Sequence, residues 1–237
     1  MRESTRSAEQ NLSIDGTFNG RWAANSGVLR SAALDNLTPA GEDALRDLGV
    51  HLVIDLRAGT ERGTVEHGFP VAHHPVFENS APVTGSLEEV YDTLLLTRGA
   101  ALAGAVAAIA DADGAVLVHC AVGKDRTGLV IALALLAAGL SDDDVIADYA
   151  LSGEVVRERR HEAVIADLGM LDLNDALHAQ SVRLHLDSPA EALQHALLTL
   201  ETLGGALTYL RNHGLSESQL AALRVRVAGA STEQSIR

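Results

Sequence analysis

The segment Ala115-Val116-Leu117-Val118-His119-Cys120-Ala121-Val122-Gly123-Lys124-Asp125-Arg126-Thr127-Gly128 decides how this chain is read. It begins with a short apolar, β-branched run of buried-strand type, and the apolar run that follows it, Leu129 to Leu136, is too long for a strand and reads as a buried helix. His119 to Gly128 is therefore a strand-to-helix loop whose backbone N–H groups open a helix N-terminus. Unsatisfied donors and the positive end of the helix dipole converge there, which favours an anion. Cys120 stands at the loop entrance near two cations, Lys124 and Arg126, surroundings that lower a thiol pKa from about 8.5 to roughly 3.5–7.5. Arg126 can return across the loop and hold two oxygens of a phosphate in a bidentate fork. A thiolate, the loop amides from Ala121, Val122 and Gly123 to Arg126, and a guanidinium are the parts needed to attack phosphorus.

The composition carries an independent signal. Cys120 is the only cysteine in 237 residues, and Lys124 is the only lysine against 17 arginines. A chain that otherwise takes its positive charge from arginine keeps its one lysine four residues after its one cysteine. A lone cysteine acting as a small buried hydrophobe is the bland alternative, and the loop around it argues against that reading. A single cysteine also excludes an internal disulfide and fits a reducing compartment, so a cytoplasmic protein is expected, with secretion by a non-standard route left open. The first residues carry no apolar stretch of signal-peptide type. The longest nearly apolar stretch, Leu129 to Leu140, has 12 residues, too few to span a bilayer, so no integral membrane segment is expected. The formal charge of −14 excludes a broad nucleic-acid surface, and an anionic substrate must be held by a local basic pocket in a repelling envelope.

The loop His-Cys-Ala-Val-Gly-Lys-Asp-Arg-Thr-Gly resembles the Cys-x5-Arg signature of the protein tyrosine phosphatase superfamily. In particular it resembles the HCxxGKDRTG loop of a bacterial and fungal tyrosine phosphatase family, whose members act on phosphotyrosine and sometimes on phosphoinositides. Val28-Leu29-Arg30-Ser31-Ala32-Ala33-Leu34 is close to that family's Arg-Ser-(Ala/Gly)-Ala-Leu run, and Asp55-Leu56-Arg57 with Glu61-Arg62 again resembles it. The segment Leu12 to Gly20 departs from the family's Asn-Phe-Arg-Asp-hydrophobic-Gly-Gly pattern. The resemblance implies a cysteinyl-phosphate intermediate, no metal and no cofactor, with a phosphorylated protein or phosphoinositide as substrate and phosphate or vanadate as ligand. Rhodanese-like or arsenate-reducing thiolate chemistry, and a non-catalytic phosphate-binding module, are the rivals.

Phosphoryl transfer to Cys120 needs an acid for the leaving oxygen and later a base for water. Many tyrosine phosphatases take it from a Trp-Pro-Asp loop, but the only Trp, Trp22, precedes Ala23-Ala24. The resemblance therefore points to Asp125, which could alternatively do no more than pair with Lys124 or an arginine. Asp55 is the rival acid, at the carboxyl end of a strand where ligands bind in such sheets; it could instead orient Arg57, which either reaches the substrate or pairs with it. Thr127 stabilises the departing thiolate or caps the helix, His119 shapes the loop, and Lys124 adds charge at the pocket. His73-His74 lacks the further ligands that a metal site requires.

The rest of the chain reads as strands followed by helices. Thr38-Pro39 starts a helix to about Leu48, and His51 to Leu56 and Val71 to Phe77 are expected strands. Helical sequence runs from the Ser86 capping box to Ala110, with a break near Gly99; Ser141 caps a helix to about Ser152, and Ser188 and Ser216 open further capping boxes. The expected fold is α/β: a small, mostly parallel central sheet flanked by helices, phosphatase-like, with a helix-rich second half. One phosphatase domain over residues 11–228 is expected, between disordered tails at 1–10 and 229–237. The stretch 153–187, with Arg157, Arg159, Arg160 and His161 on one helical segment, reads either as a helical lid over the site or as a solvated surface helix.

Overall fold

A computed structural model describes residues 11–63 and 66–233, and the expected tail at 1–10 lies outside them. Its strands are β1 (Arg21–Trp22), β2 (Val28–Ser31), β3 (Val50–Asp55), β4 (Val71–His73) and β5 (Ala115–His119). They form a sheet of order β1-β2-β5-β3-β4, antiparallel only between β1 and β2. The helices are α1 (Pro39–Asp47), α2 (Leu87–Thr97), α3 (Gly99–Asp111), α4 (Asp125–Ala138) and α5 (Asp142–Ala150), then α6 (Ser152–Gly169), α7 (Asp175–Leu186), α8 (Ala190–Thr202), α9 (Gly205–Asn212) and α10 (Glu217–Glu233). The α/β architecture with a helix-rich second half is as the sequence implies.

β5 is the central strand, which is why its sequence is apolar on both faces. Val116 and Val118 join the large core with α2 to α5 and α8 to α10, while Leu117 packs with Leu29, Val53, Leu45 and Ile14 beneath α1. By the same alternation His119 points to the α1 face, and Cys120 returns to the large core. α4 is buried almost throughout and ends at Gly139, in the left-handed conformation at φ +105°. The loop between β5 and α4 is thus fixed at both ends by the best-packed elements of the molecule.

Two local expectations are corrected. β4 stops at His73, although His74 N and Val76 N still bond Asp55 O at 2.9 Å and Leu56 O at 3.2 Å, because two residues there advance against one of β3 and the register slips. The Ser188 capping box does not form: its hydroxyl donates to Ala150 O at 3.1 Å, and the Pro189 cap of α8 makes no side-chain bond. The boxes at Ser86 and Ser216 do form. The helix opened by Ser141 ends at Ala150, and α6 begins directly after Leu151. α6 and α7 make a helical hairpin with its own small core of Val164, Leu168 and Leu186. Among the described residues no single helix is long and apolar enough to cross a membrane.

Candidate active site

The carbonyls at the tip of the loop after β5, those of Ala121, Val122 and Gly123, are taken by donors from outside it. Ala121 O accepts from Ala33 N at 3.1 Å, and Asn19 Nδ2 donates to both Val122 O and Gly123 O at 3.0 Å. Arg30 Nη2 donates to Gly123 O at 2.8 Å, and Gly128 N closes on Lys124 O at 2.7 Å. With the oxygens turned outward, the amides of residues 121–126 are left facing inward, with no acceptor among the described residues. Gly123 is required at the tip: its φ is +67°, and a Cβ there would meet Ser31 O at 2.2 Å.

Behind the loop lies a buried ion cluster. Asp148 of α5 accepts from Arg21 Nε at 3.1 Å and from Arg30 Nη1, and Ser152 Oγ accepts from both guanidiniums. Two buried arginines on one carboxylate leave an excess positive charge beneath an anion-binding loop. Burial pushes the Asp148 carboxyl up, but Arg30 and Arg21 together hold it below the usual carboxylate range.

Cys120 is buried at the mouth of α4. Burial pushes its thiol up, while the charge of Arg126 and the hydroxyl and amide of Thr127 bring it below an ordinary thiol. The Thr127 hydroxyl is fully buried without a hydrogen-bond partner among the described residues, and it adds to the lowering of the Cys120 thiol beside it. Arg126 is held by Glu61, whose Oε2 and Oε1 accept from Nη1 at 2.6 Å and Nη2 at 2.9 Å. Of the five guanidinium hydrogens that uses two, and the Nε edge stays available for a bidentate grip on phosphate. Glu61 is itself fixed by Ala58 N at 3.0 Å.

Asp125, the first residue of α4, lines the same cavity as Cys120 and Arg126. Its Oδ1 accepts from Tyr91 Oη and from Lys124 Nζ, both at 2.9 Å. The structure does not bring Lys124 into the pocket. Its side chain is fully buried, and its ammonium also donates to Leu184 O at 2.8 Å and Asp187 O at 2.7 Å. Lys124 therefore ties the loop to the end of α7.

The cavity over Cys120 measures about 230 Å³. Phe77, Pro82, Val83 and Val90 form apolar walls, and the α6–α7 hairpin covers it with Arg160, Val164, Leu184 and His185. Of residues 153–187, these four side chains line the cavity that holds the thiol. The hairpin is pinned to α2 by the paired bonds of Arg183 to Glu88 at 2.7 and 2.8 Å.

Asp55 and Arg57 lie elsewhere. They line a separate polar cavity of about 560 Å³ with His73 and His119. Arg57 Nε and Nη2 donate to the two Asp55 oxygens at 3.0 Å, and Nη1 bonds Asp35 Oδ2 at 2.6 Å. Burial raises the Asp55 pKa, but the bonds from Arg57 and the nearby His119 bring it below the ordinary value, the wrong direction for an acid. Of the two roles open to these residues, the geometry corrects the catalytic one to mutual pairing. His119 donates from Nδ1 to Cys120 O at 3.1 Å, a loop-shaping contact.

Glu61, Tyr91, Asn19 and Arg30 carry contacts to the loop, and Asp148 holds Arg30 behind it, none of which sequence reading assigns. Asp148 had a legible sign: Val145, Asp148, Tyr149 and Ser152 follow the i, i+3, i+4, i+7 spacing of a buried stripe, with an acid in it. Among the described residues no group of three or more His, Cys, Asp or Glu is placed to hold a metal ion.

A model of the tyrosine phosphatase family matches residues 15–228. The chain is 30% identical over 247 residues to the triple specificity protein phosphatase PtpB of Mycobacterium tuberculosis, covering 83% of this chain and 89% of that one. It is also 30% identical over 223 residues to a tyrosine-protein phosphatase of Nostoc commune, covering 85% of this chain and 74% of that one. By the span of the family match and the likeness to both relatives, this chain belongs to the tyrosine phosphatase family.

Proposed function

We propose that this chain hydrolyses phosphotyrosine in proteins through a cysteinyl-phosphate intermediate, with Cys120, Arg126 and Asp125 as its working side chains. The observation that carries the reading is a lowered thiol facing free loop amides, with a guanidinium edge and a carboxyl in the same cavity. The Cys120 thiolate attacks phosphorus as the P–O bond to the tyrosine breaks. Asp125 gives its proton to the departing phenolate oxygen. The amides from Ala121 to Arg126 and the Nε edge of Arg126 hold the equatorial oxygens; removing a donor of this kind costs about 10²–10³ in rate. Asp125, now a carboxylate, then takes a proton from water as the water oxygen attacks phosphorus, the S–P bond breaks, and inorganic phosphate leaves with the thiolate regenerated. The Thr127 hydroxyl supports that thiolate.

The apolar walls of Phe77, Pro82, Val83 and Val90 support an aromatic ring above the loop better than a polyhydroxylated inositol. A buried thiol that must stay reduced supports the cytoplasm as the place of action. Hydrolysis of 4-nitrophenyl phosphate in EDTA, compared between wild type and Cys120→Ser, tests the chemistry. Turnover in EDTA that disappears in the variant is expected, and turnover that survives it overturns the reading. A panel of phosphopeptides and short-chain phosphoinositides then tests the substrate: faster hydrolysis of the lipids would replace phosphotyrosine as the leading class.

A further inference from the structure

The chain has three tyrosines, and two of them meet beneath the active site. Tyr91 of α2 and Tyr149 of α5 place their hydroxyl oxygens 2.7 Å apart, with the rings edge to face at 6.2 Å. Each hydroxyl has one proton. That of Tyr91 goes to Asp125 Oδ1 at 2.9 Å, so Tyr149 must donate to Tyr91. Lys124 Nζ donates to the same carboxyl oxygen. Oδ1 thus accepts two hydrogen bonds, and Oδ2 accepts none among the described residues. A proton on Oδ1 would face two donors, so the acid form of Asp125 must carry it on Oδ2. Burial raises both phenols, with the negative charge of Asp125 adding to it, so neither ionises in the range where a phosphatase works.

From this geometry we infer that Tyr91, backed by Tyr149, is a positioning residue that presents the protonated Oδ2 of Asp125 to the leaving oxygen. The inference rests on the reading of Asp125 as the acid. Tyr91 does not line the cavity over Cys120, and it acts by fixing the rotation of one carboxyl. An acid held in the wrong rotation matters only where the leaving group needs a proton. Loss of the hydroxyl should therefore be felt on poor leaving groups and spared on activated ones.

The test compares kcat/KM for phenyl phosphate and for 4-nitrophenyl phosphate in wild type, Tyr91→Phe, Tyr149→Phe, Asp125→Asn and the Tyr91→Phe/Asp125→Asn pair. Tyr91→Phe is expected to lower the phenyl-to-nitrophenyl ratio about tenfold, the upper range for one hydrogen bond to a neutral group. Tyr149→Phe should lower it in the same direction by less. The double variant should show the Asp125→Asn ratio with no further fall. An equal loss on both substrates would assign Tyr91 a packing role and overturn the inference. If Tyr91→Phe does not fold, an unchanged ratio in Tyr149→Phe overturns it equally. An unchanged ratio in Asp125→Asn, with turnover still abolished by Cys120→Ser, would remove Asp125 as the acid and leave the thiolate reading standing.

Discussion

Replacing Asp148 with Asn keeps the shape of the buried cluster and removes its only negative charge. The side chain is 6% exposed, and its partners Arg21 and Arg30 are 1% and 0% exposed. Breaking a buried ion pair from one side costs about 3–5 kcal/mol, because the remaining charge has no counter-ion. Asn still offers one acceptor oxygen, which puts the expected loss at the lower end, about 3 kcal/mol. For a domain of this size each kcal/mol moves the melting point by about 2–4 °C, so Tm should fall by about 6–12 °C. The loop should suffer as well, because Arg30 holds Gly123 O and would be pushed by Arg21 without the shared carboxylate. Inhibition by vanadate or phosphate should then weaken along with stability. The sign with pH follows from the depressed carboxyl. Its contribution is complete above the unfolded value of about 3.9 and is lost as pH falls through the lower folded value. Wild type and variant should therefore differ by a constant amount at neutral pH and converge in strong acid. Thermal melts across pH, paired with vanadate inhibition at neutral pH, measure both effects. A Tm change under about 2 °C would refute the energetic reasoning. A large Tm loss with unchanged vanadate inhibition would refute the link between cluster and loop.

The Cys120 thiolate should be visible directly by its ultraviolet absorbance. It is the only thiol, and all three tyrosines are raised, Tyr209 to about 12, so phenolate does not obscure the titration. The midpoint should fall below that of an ordinary thiol, and Arg126→Met should move it upward; an unmoved midpoint would contradict Arg126 as the stabilising charge. Glu61→Gln should lower kcat/KM about tenfold, since one charge-assisted anchor of Arg126 is lost, while Tm changes little. Arg160→Ala, which removes a cation from the cover of the cavity, should raise KM for a phosphopeptide with acidic neighbours more than for 4-nitrophenyl phosphate, and equal effects on both would exclude such a contact.

Much of this was legible because it is local. The apolar runs on either side of His119 to Gly128 define β5 and α4 by length alone, and they place Cys120, Asp125 and Arg126 at one helix terminus. Thr38-Pro39 and Ser86 likewise carry their own capping chemistry. What could not be read were partners brought in from far along the chain. Glu61, Tyr91 and Asp148 come from three different elements, and no spacing relates them to Cys120. Lys124 misleads for the same reason: a lysine beside a phosphate loop reads as pocket charge until α7 supplies Leu184 and Asp187 carbonyls to bury it. Ser188 has capping-box form, yet a tertiary acceptor, Ala150 O, takes its hydroxyl. Asp55 stands at the correct sheet edge for an acid, and only the position of Arg57 decides that it is a counter-ion instead.

The most direct test of the central claim is acid-quenched mass spectrometry during turnover of an aryl phosphate. With a single cysteine in the chain, a covalent intermediate can form on sulfur at one position only. The account predicts one added phosphoryl group on the peptide carrying Cys120, accumulating further in Asp125→Asn, where water is not activated, and absent in Cys120→Ser. Product release at the full rate with no phosphoryl on Cys120, or a phosphoryl group on another residue, would contradict it.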